Sequence, residues 1–158
     1  MTDKNRAINT GPKSGMAQAR KEFYGNAIPR IKRAIEHLFP LEAIALLESM
    51  MADRLESRLA YIFKQRADKR KFSTIGQLVE ELCGKKSTES HEEKAVYGHV
   101  KTWGARRNEA LHEMVKLAEG NEKDWGAKIQ DAQEIAEAGL PLFGILDRQV
   151  KKLNKPPR

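Results

Sequence analysis

The sequence predicts an all-α fold, an up-and-down bundle of four to five helices. Three observations carry that expectation. Glutamate, alanine, leucine, lysine and arginine, the stronger helix formers, dominate the chain. Apolar residues recur at spacings of three and four over long stretches, and no run alternates apolar and polar residues as a half-buried strand would. Aromatic residues make up only 6% of the chain, which does not suggest a β-sandwich.

Taken in order, residues 1–14 are polar, carry a Gly–Pro pair and lack periodicity, so they read as a flexible arm. A basic helix is expected from about Gly15 to Leu38, with Pro29 as a possible kink or split, before Phe39–Pro40 breaks the chain. The strongest helix follows, with Leu41, Ile44, Leu47, Met51, Leu55, Leu59 and Ile62 forming one apolar stripe. Ser73 or Thr74 can cap a short helix through Leu82, and Gly84 is its stop signal. GKKSTESHEE reads as a polar loop. Helical pattern resumes near Glu92 and runs to Ala118, with an interruption expected near Gly104. Gly120–Asn121 punctuates the chain again. A last helical region spans roughly Glu122 to Leu153, bent or broken near Gly139–Leu140–Pro141, and residues 154–158 form a tail. Residues 15–153 are thus expected to be one helical domain, a natural size for 158 residues.

Net charge is +7 and the pI about 9.5, a balance that favours an anionic partner, with nucleic acid first. The basic residues cluster at Lys4 to Arg33, Lys64 to Lys71 and Arg148 to Arg158. A single cysteine, Cys83, excludes an intramolecular disulfide framework and fits a reducing compartment. It falls in the apolar run Leu78–Val79–Leu82–Cys83 and reads as a small buried hydrophobe. No apolar run approaches membrane-spanning length and no signal-peptide pattern opens the chain, so a cytoplasmic protein without membrane contact is expected.

Two polar residues stand on apolar helix faces. Glu48 stacks with Ala52, Leu55 and Leu59 inside the stripe of its helix, where a lone carboxylate is costly unless a cation meets it. Arg107 lies on the side defined by Val96, Val100, Trp103, Leu111 and Met114. The economical inference is that Glu48 and Arg107 meet, fixing the arginine rotamer and aiming its other donors at a neighbouring site. Arg54 and Arg58 are alternative partners for Glu48 if their stems snorkel around the helix. A buried pair that only specifies helix register is the plain structural alternative.

His112 adds chemistry. It follows Asn108 by one turn and Glu109 by three residues, so either side chain can orient its ring. An imidazole can move a proton near neutral pH, and an arginine can stabilise charge building on phosphate oxygens. On a straight helix, however, Arg107 and His112 point about 140° apart. They serve one phosphate only if the helix starts near Gly104, if Arg107 curls back, or if a second subunit completes the site.

Arg107–Asn108–Glu109–Ala110–Leu111–His112 resembles the Arg-x4-6-His motif of the HEPN superfamily, in its Arg-Asn-x-x-x-His form. The helical order extends the likeness to roughly residues 41–153. The resemblance implies a small all-α bundle, commonly a homodimer, and in many members a metal-independent ribonuclease of toxin–antitoxin or abortive-infection systems. Other members are inactive or only bind nucleotides. It implies that Arg107 stabilises the scissile phosphate, His112 acts as general acid or base, and Asn108 orients one of them. Glu48 resembles the acidic residue that some members set against the arginine from an earlier helix. RNA is then the substrate, an antitoxin protein a further partner, and no cofactor is required. Arg106 is expected to face solvent or phosphate and becomes the motif arginine if the alignment slips by one.

Other residues receive plainer readings. His91 and His99 match no trusted zinc spacing and read as solvated. His37 complements a helix C-terminus. Trp103 and Trp125 read as core or interface anchors, and Tyr97 as a core residue. Beside the ribonuclease stand a non-catalytic helical module that binds RNA, nucleotide or a protein, and a purely structural interaction protein.

Overall fold

The computed structural model describes residues 15–63, 73–84, 90–116 and 123–155. The expected arm at 1–14, the Lys64–Lys71 run, residues 85–89 of the expected 84–93 loop, Gly120–Asn121 and the last three residues of the tail lie outside them. Among the described residues the structure is an all-α bundle of five helices: α1 (Gly15–Glu36), α2 (Pro40–Phe63), α3 (Ile75–Cys83), α4 (His91–Glu113) and α5 (Trp125–Leu153).

Local chemistry fixes the helix ends. Backbone N–H of Leu38 donates to Ile35 O and that of Phe39 to Ala34 O, so α1 closes in a Schellman motif. Leu38 occupies its left-handed position at φ 58°, where glycine is usual, and its side chain is exposed. Pro40 then opens α2 at the first helical position, where a missing N–H costs nothing. Thr74 and Gln77 form a reciprocal capping box on α3. Ser90 and Asp124 cap α4 and α5 by accepting from Glu93 N and Ala127 N.

α2 is the central element and packs most extensively against α5. Ile44, Leu47, Met51, Leu55 and Leu59 of its stripe are fully buried, as expected, whereas Leu41 at the entry is exposed. They meet Ile31 of α1, Leu78 and Leu82 of α3, Tyr97, Val100 and Trp103 of α4, and Ala132, Phe143 and Leu146 of α5 in one core. Burying side chains of this size contributes about 1.5–3 kcal/mol each.

No break occurs at any of the three expected positions. α4 runs unbroken through Gly104, which is buried against α3; a Cβ there would lie 3.4 Å from Ile75 Cγ2, an ordinary contact. α5 continues through Gly139 and Pro141, and α1 through Pro29. Both prolines are exposed, where water can satisfy the carbonyls they leave free. A Cβ at Gly139 would lie 2.8 Å from Trp103 Nε1 and 2.9 Å from Leu47 Cδ1, so this glycine serves close helix contact. Cys83, expected to be buried, is exposed at the last residue of α3. Trp125, expected to anchor a core or interface, is 61% exposed at the start of α5. Trp103 and Tyr97 are core residues, as expected, and Trp103 Nε1–H donates to Ile135 O at 2.8 Å.

Candidate functional site

The site is built where α4 crosses α2. Periodicity turns Arg107 of α4 toward α2, and there its Nη2–H donates to Glu48 Oε2. The Nη1–H of the same guanidinium donates to Asn108 Oδ1. Glu48 and Arg107 are both partly buried, which strengthens their attraction over that of a surface pair. Burial pulls the Arg107 pKa below the usual arginine value, the ion pair notwithstanding. Arg107 Nε is buried and lacks a hydrogen-bond acceptor. Two arms of the fork are thus anchored, and the rotamer is fixed by both of them.

The alternative partners of Glu48 are taken elsewhere. Arg54 pairs with Asp147 of α5, and Arg58 with Glu93 of α4 at 3.0 Å. Both arginines are buried, on faces of α2 away from Glu48. Sequence periodicity found the Glu48–Arg107 pair because each residue breaks a local apolar stripe. It missed Asp147 and Glu93, whose positions in their own helices look ordinary.

His112 stands apart from this pair. It is exposed on the last turn of α4, and among the described residues its side chain forms no hydrogen bond or ion pair, with Asn108, Glu109 or any other. Since α4 does not start near Gly104, and Arg107 reaches to Glu48 rather than curling back, the two side chains of one chain do not converge. Asn108 and His112 share an exposed stripe with Ala105 on the outer face of α4, and Val115 just past its end is exposed as well.

Arg106 and Glu109 lie on the flank facing α5. They line a shallow groove of about 260 Å³ with Glu113, Lys123, Lys128 and Asp131; neither Arg107 nor His112 reaches it. Its floor is set by Lys128, whose ammonium group is buried and donates to Glu113 O at 2.7 Å and Lys116 O at 3.0 Å. Lys128 therefore caps the C-terminus of α4 from the neighbouring helix, one turn beyond His112. Nothing in the sequence marked this residue, since a lysine near a helix start is an ordinary solvated side chain. His91 and His99 are exposed, and among the described residues no group of three or more His, Cys, Asp or Glu is placed to hold a metal ion.

No family model, curated protein or solved structure matches this chain. Among the described residues, no helix is long and apolar enough to cross a membrane.

Proposed function

We propose that the protein is a metal-independent endoribonuclease of HEPN type, acting as a homodimer in which α4 helices of two copies face one another. The observation that supports this best is the Glu48–Arg107–Asn108 chain, with an exposed, unengaged His112 one turn further on. Glu48 holds Arg107 in one rotamer, and the resemblance sets an acid from an earlier helix against this arginine. Asn108 and His112 lie on a face that a second copy can reach. Juxtaposing two such faces brings the arginine of one copy toward the histidine of the other, removing the divergence within a single chain.

In the reaction, His112 accepts the proton of a ribose 2′-OH as its oxygen attacks phosphorus. The bond from phosphorus to the 5′-oxygen breaks, and that oxygen takes the proton back from the His112 imidazolium. The products are a 2′,3′-cyclic phosphate and a 5′-hydroxyl. Arg107 stabilises the charge that builds on the non-bridging oxygens. The net charge of +7 favours approach of the polyanion. A place in phage defence or a toxin–antitoxin pair, with an antitoxin protein as partner, follows from the same resemblance, while the single cysteine favours a reducing, cytoplasmic location.

The divergence of Arg107 and His112 within one chain favours one competing reading, a non-catalytic helical module that binds RNA, nucleotide or protein. RNA cleavage in EDTA separates the two. Wild-type protein should cleave, and His112→Ala should lose about 100-fold or more of the rate. His112 is exposed and unbonded, so this substitution leaves the fold intact. Equal cleavage by both proteins, or none by folded wild type on diverse RNAs, rejects the enzyme.

A further inference from the structure

A second groove lies between α1 and α5, on a different face of α2 from the site above. Arg54, at its floor, is about 120° around α2 from Glu48. The groove measures about 510 Å³ and is lined by Arg20, Lys21 and Tyr24 of α1, Arg54 of α2, and Phe143 and Lys151 of α5. It exists because α1 packs mainly on α2 and touches α5 at few points.

Its walls divide by chemistry. Tyr24, Ile28 and Phe143 form an apolar side, with the Tyr24 and Phe143 rings edge to face at 5.2 Å. Arg20, Lys21, Arg54 and Lys151 form a cationic side, with Asp147 in the lining and Asp53 behind Arg20. Four cations against two carboxylates leave an excess of positive charge. Three of the four are positioned rather than merely solvated. Arg20 is held by Asp53 through Nε and Nη2 at 2.5 and 2.9 Å. Arg54 lies 5.1 Å from the centre of the Tyr24 ring and pairs with Asp147, yet its buried Nε–H has no acceptor. Lys151 Nζ reaches Asp147 at 2.7 Å.

Gly25 adds an independent observation. Glycine inside a helix costs about 1 kcal/mol relative to alanine. A Cβ at Gly25 would meet nothing within 4 Å, so no neighbour requires its absence. Gly25 lines this groove, and a side chain there would narrow the opening between α1 and α5.

We propose that this groove binds a nucleotide, its phosphate on the Arg20, Lys21, Arg54 and Lys151 side and its base against Tyr24, Ile28 and Phe143. Guanidinium and ammonium donors match phosphate oxygens, and an aromatic wall receives a planar base. A mononucleotide and a nucleotide unit of a single-stranded RNA present the same chemistry. The site owes nothing to His112 and stands or falls separately from RNA cleavage.

Calorimetric titration of the full chain with AMP, adenosine, inorganic phosphate, octyl phosphate and a single-stranded 2′-O-methyl RNA decamer, which 2′-OH attack cannot cleave, tests it. AMP or the decamer should bind about tenfold or more tightly than adenosine or phosphate, and less tightly as salt rises. AMP binding identifies a free-nucleotide site; binding of the decamer alone identifies a strand-binding site. Gly25→Glu should abolish that binding, and Lys21→Ala with Lys151→Ala should weaken it. Gly25→Ala should retain binding with an equal or higher Tm. Binding of neither AMP nor the decamer, affinity that survives Gly25→Glu, or octyl phosphate binding as tightly as AMP overturns the assignment.

Discussion

Gly139 shows how much one missing methyl group decides. Its position on α5 lets the Trp103 indole and the Leu47 side chain close over the helix backbone, with Trp103 Nε1–H satisfied by Ile135 O. Alanine would force both side chains from their places, because neither approach leaves room for a Cβ. Gly139→Ala should therefore destabilise the protein by about 1–3 kcal/mol, despite alanine's higher helix propensity. Urea denaturation checks the sign: a stabilised variant would mean that Trp103 and Leu47 repack freely. The same residue explains a limit of sequence reading. Glycine next to Leu–Pro reads as a break, and only the facing helices reveal that it is a contact. Glu48 and Arg107 were legible for the opposite reason. A charge inside a local apolar stripe is anomalous on its own helix, and each anomaly called for the other.

At the scale of elements, caps and apolar periodicity were enough to place the helices, since both act within a few residues. The polar clamps between helices were not legible. Arg58 Nε of α2 donates to Glu93 Oε1 of α4 at 3.0 Å, Tyr97 Oη donates to the same oxygen at 2.6 Å, and Arg58 Nη1 reaches Asn154 Oδ1 beyond α5 at 3.3 Å. These residues are far apart in sequence, and Glu93 looks like an ordinary first-turn acid complementing its helix dipole. Breaking the clamp on one side strands a buried charge. Glu93→Leu should cost about 3–5 kcal/mol, and Arg58→Met with Glu93→Leu appreciably less than the sum of the single substitutions. Additive losses in a double-mutant cycle would show that the two side chains do not interact.

At the scale of the molecule, buried phenols tie stability to alkali. Burial, with the nearby charge and hydrogen bonding of Asp53, pushes the Tyr24 pKa far above its ordinary value of 10.0. Burial and the hydrogen bond to Glu93 do the same for Tyr97. The unfolded chain releases these protons near pH 10 while the folded chain keeps them, so their contribution is complete below that pH and is lost as pH rises above it. Asp53 acts in the acid range. Burial alone would raise its pKa, but hydrogen bonds from Arg20 and Tyr24 hold it below its ordinary 3.8. Its contribution is present above that value and is lost as pH falls through the folded pKa. Stability from urea midpoints should decline on both sides, and Tyr97→Phe should flatten the decline above pH 10. An unchanged alkaline slope would mean that Tyr97 ionises in the folded protein.

The whole-molecule question is whether Arg107 and His112 meet between two copies, since one unbroken α4 holds them apart within one. Subunit complementation answers it most directly. Arg107→Gln and His112→Ala, each tested alone for RNA cleavage in EDTA, should both be inactive. Mixed and reassembled in equal amounts, they should recover about a quarter of wild-type activity, because half of the dimers are mixed and each mixed dimer holds one intact site of two. No recovery from a mixture shown to contain mixed dimers would contradict a site shared between two copies.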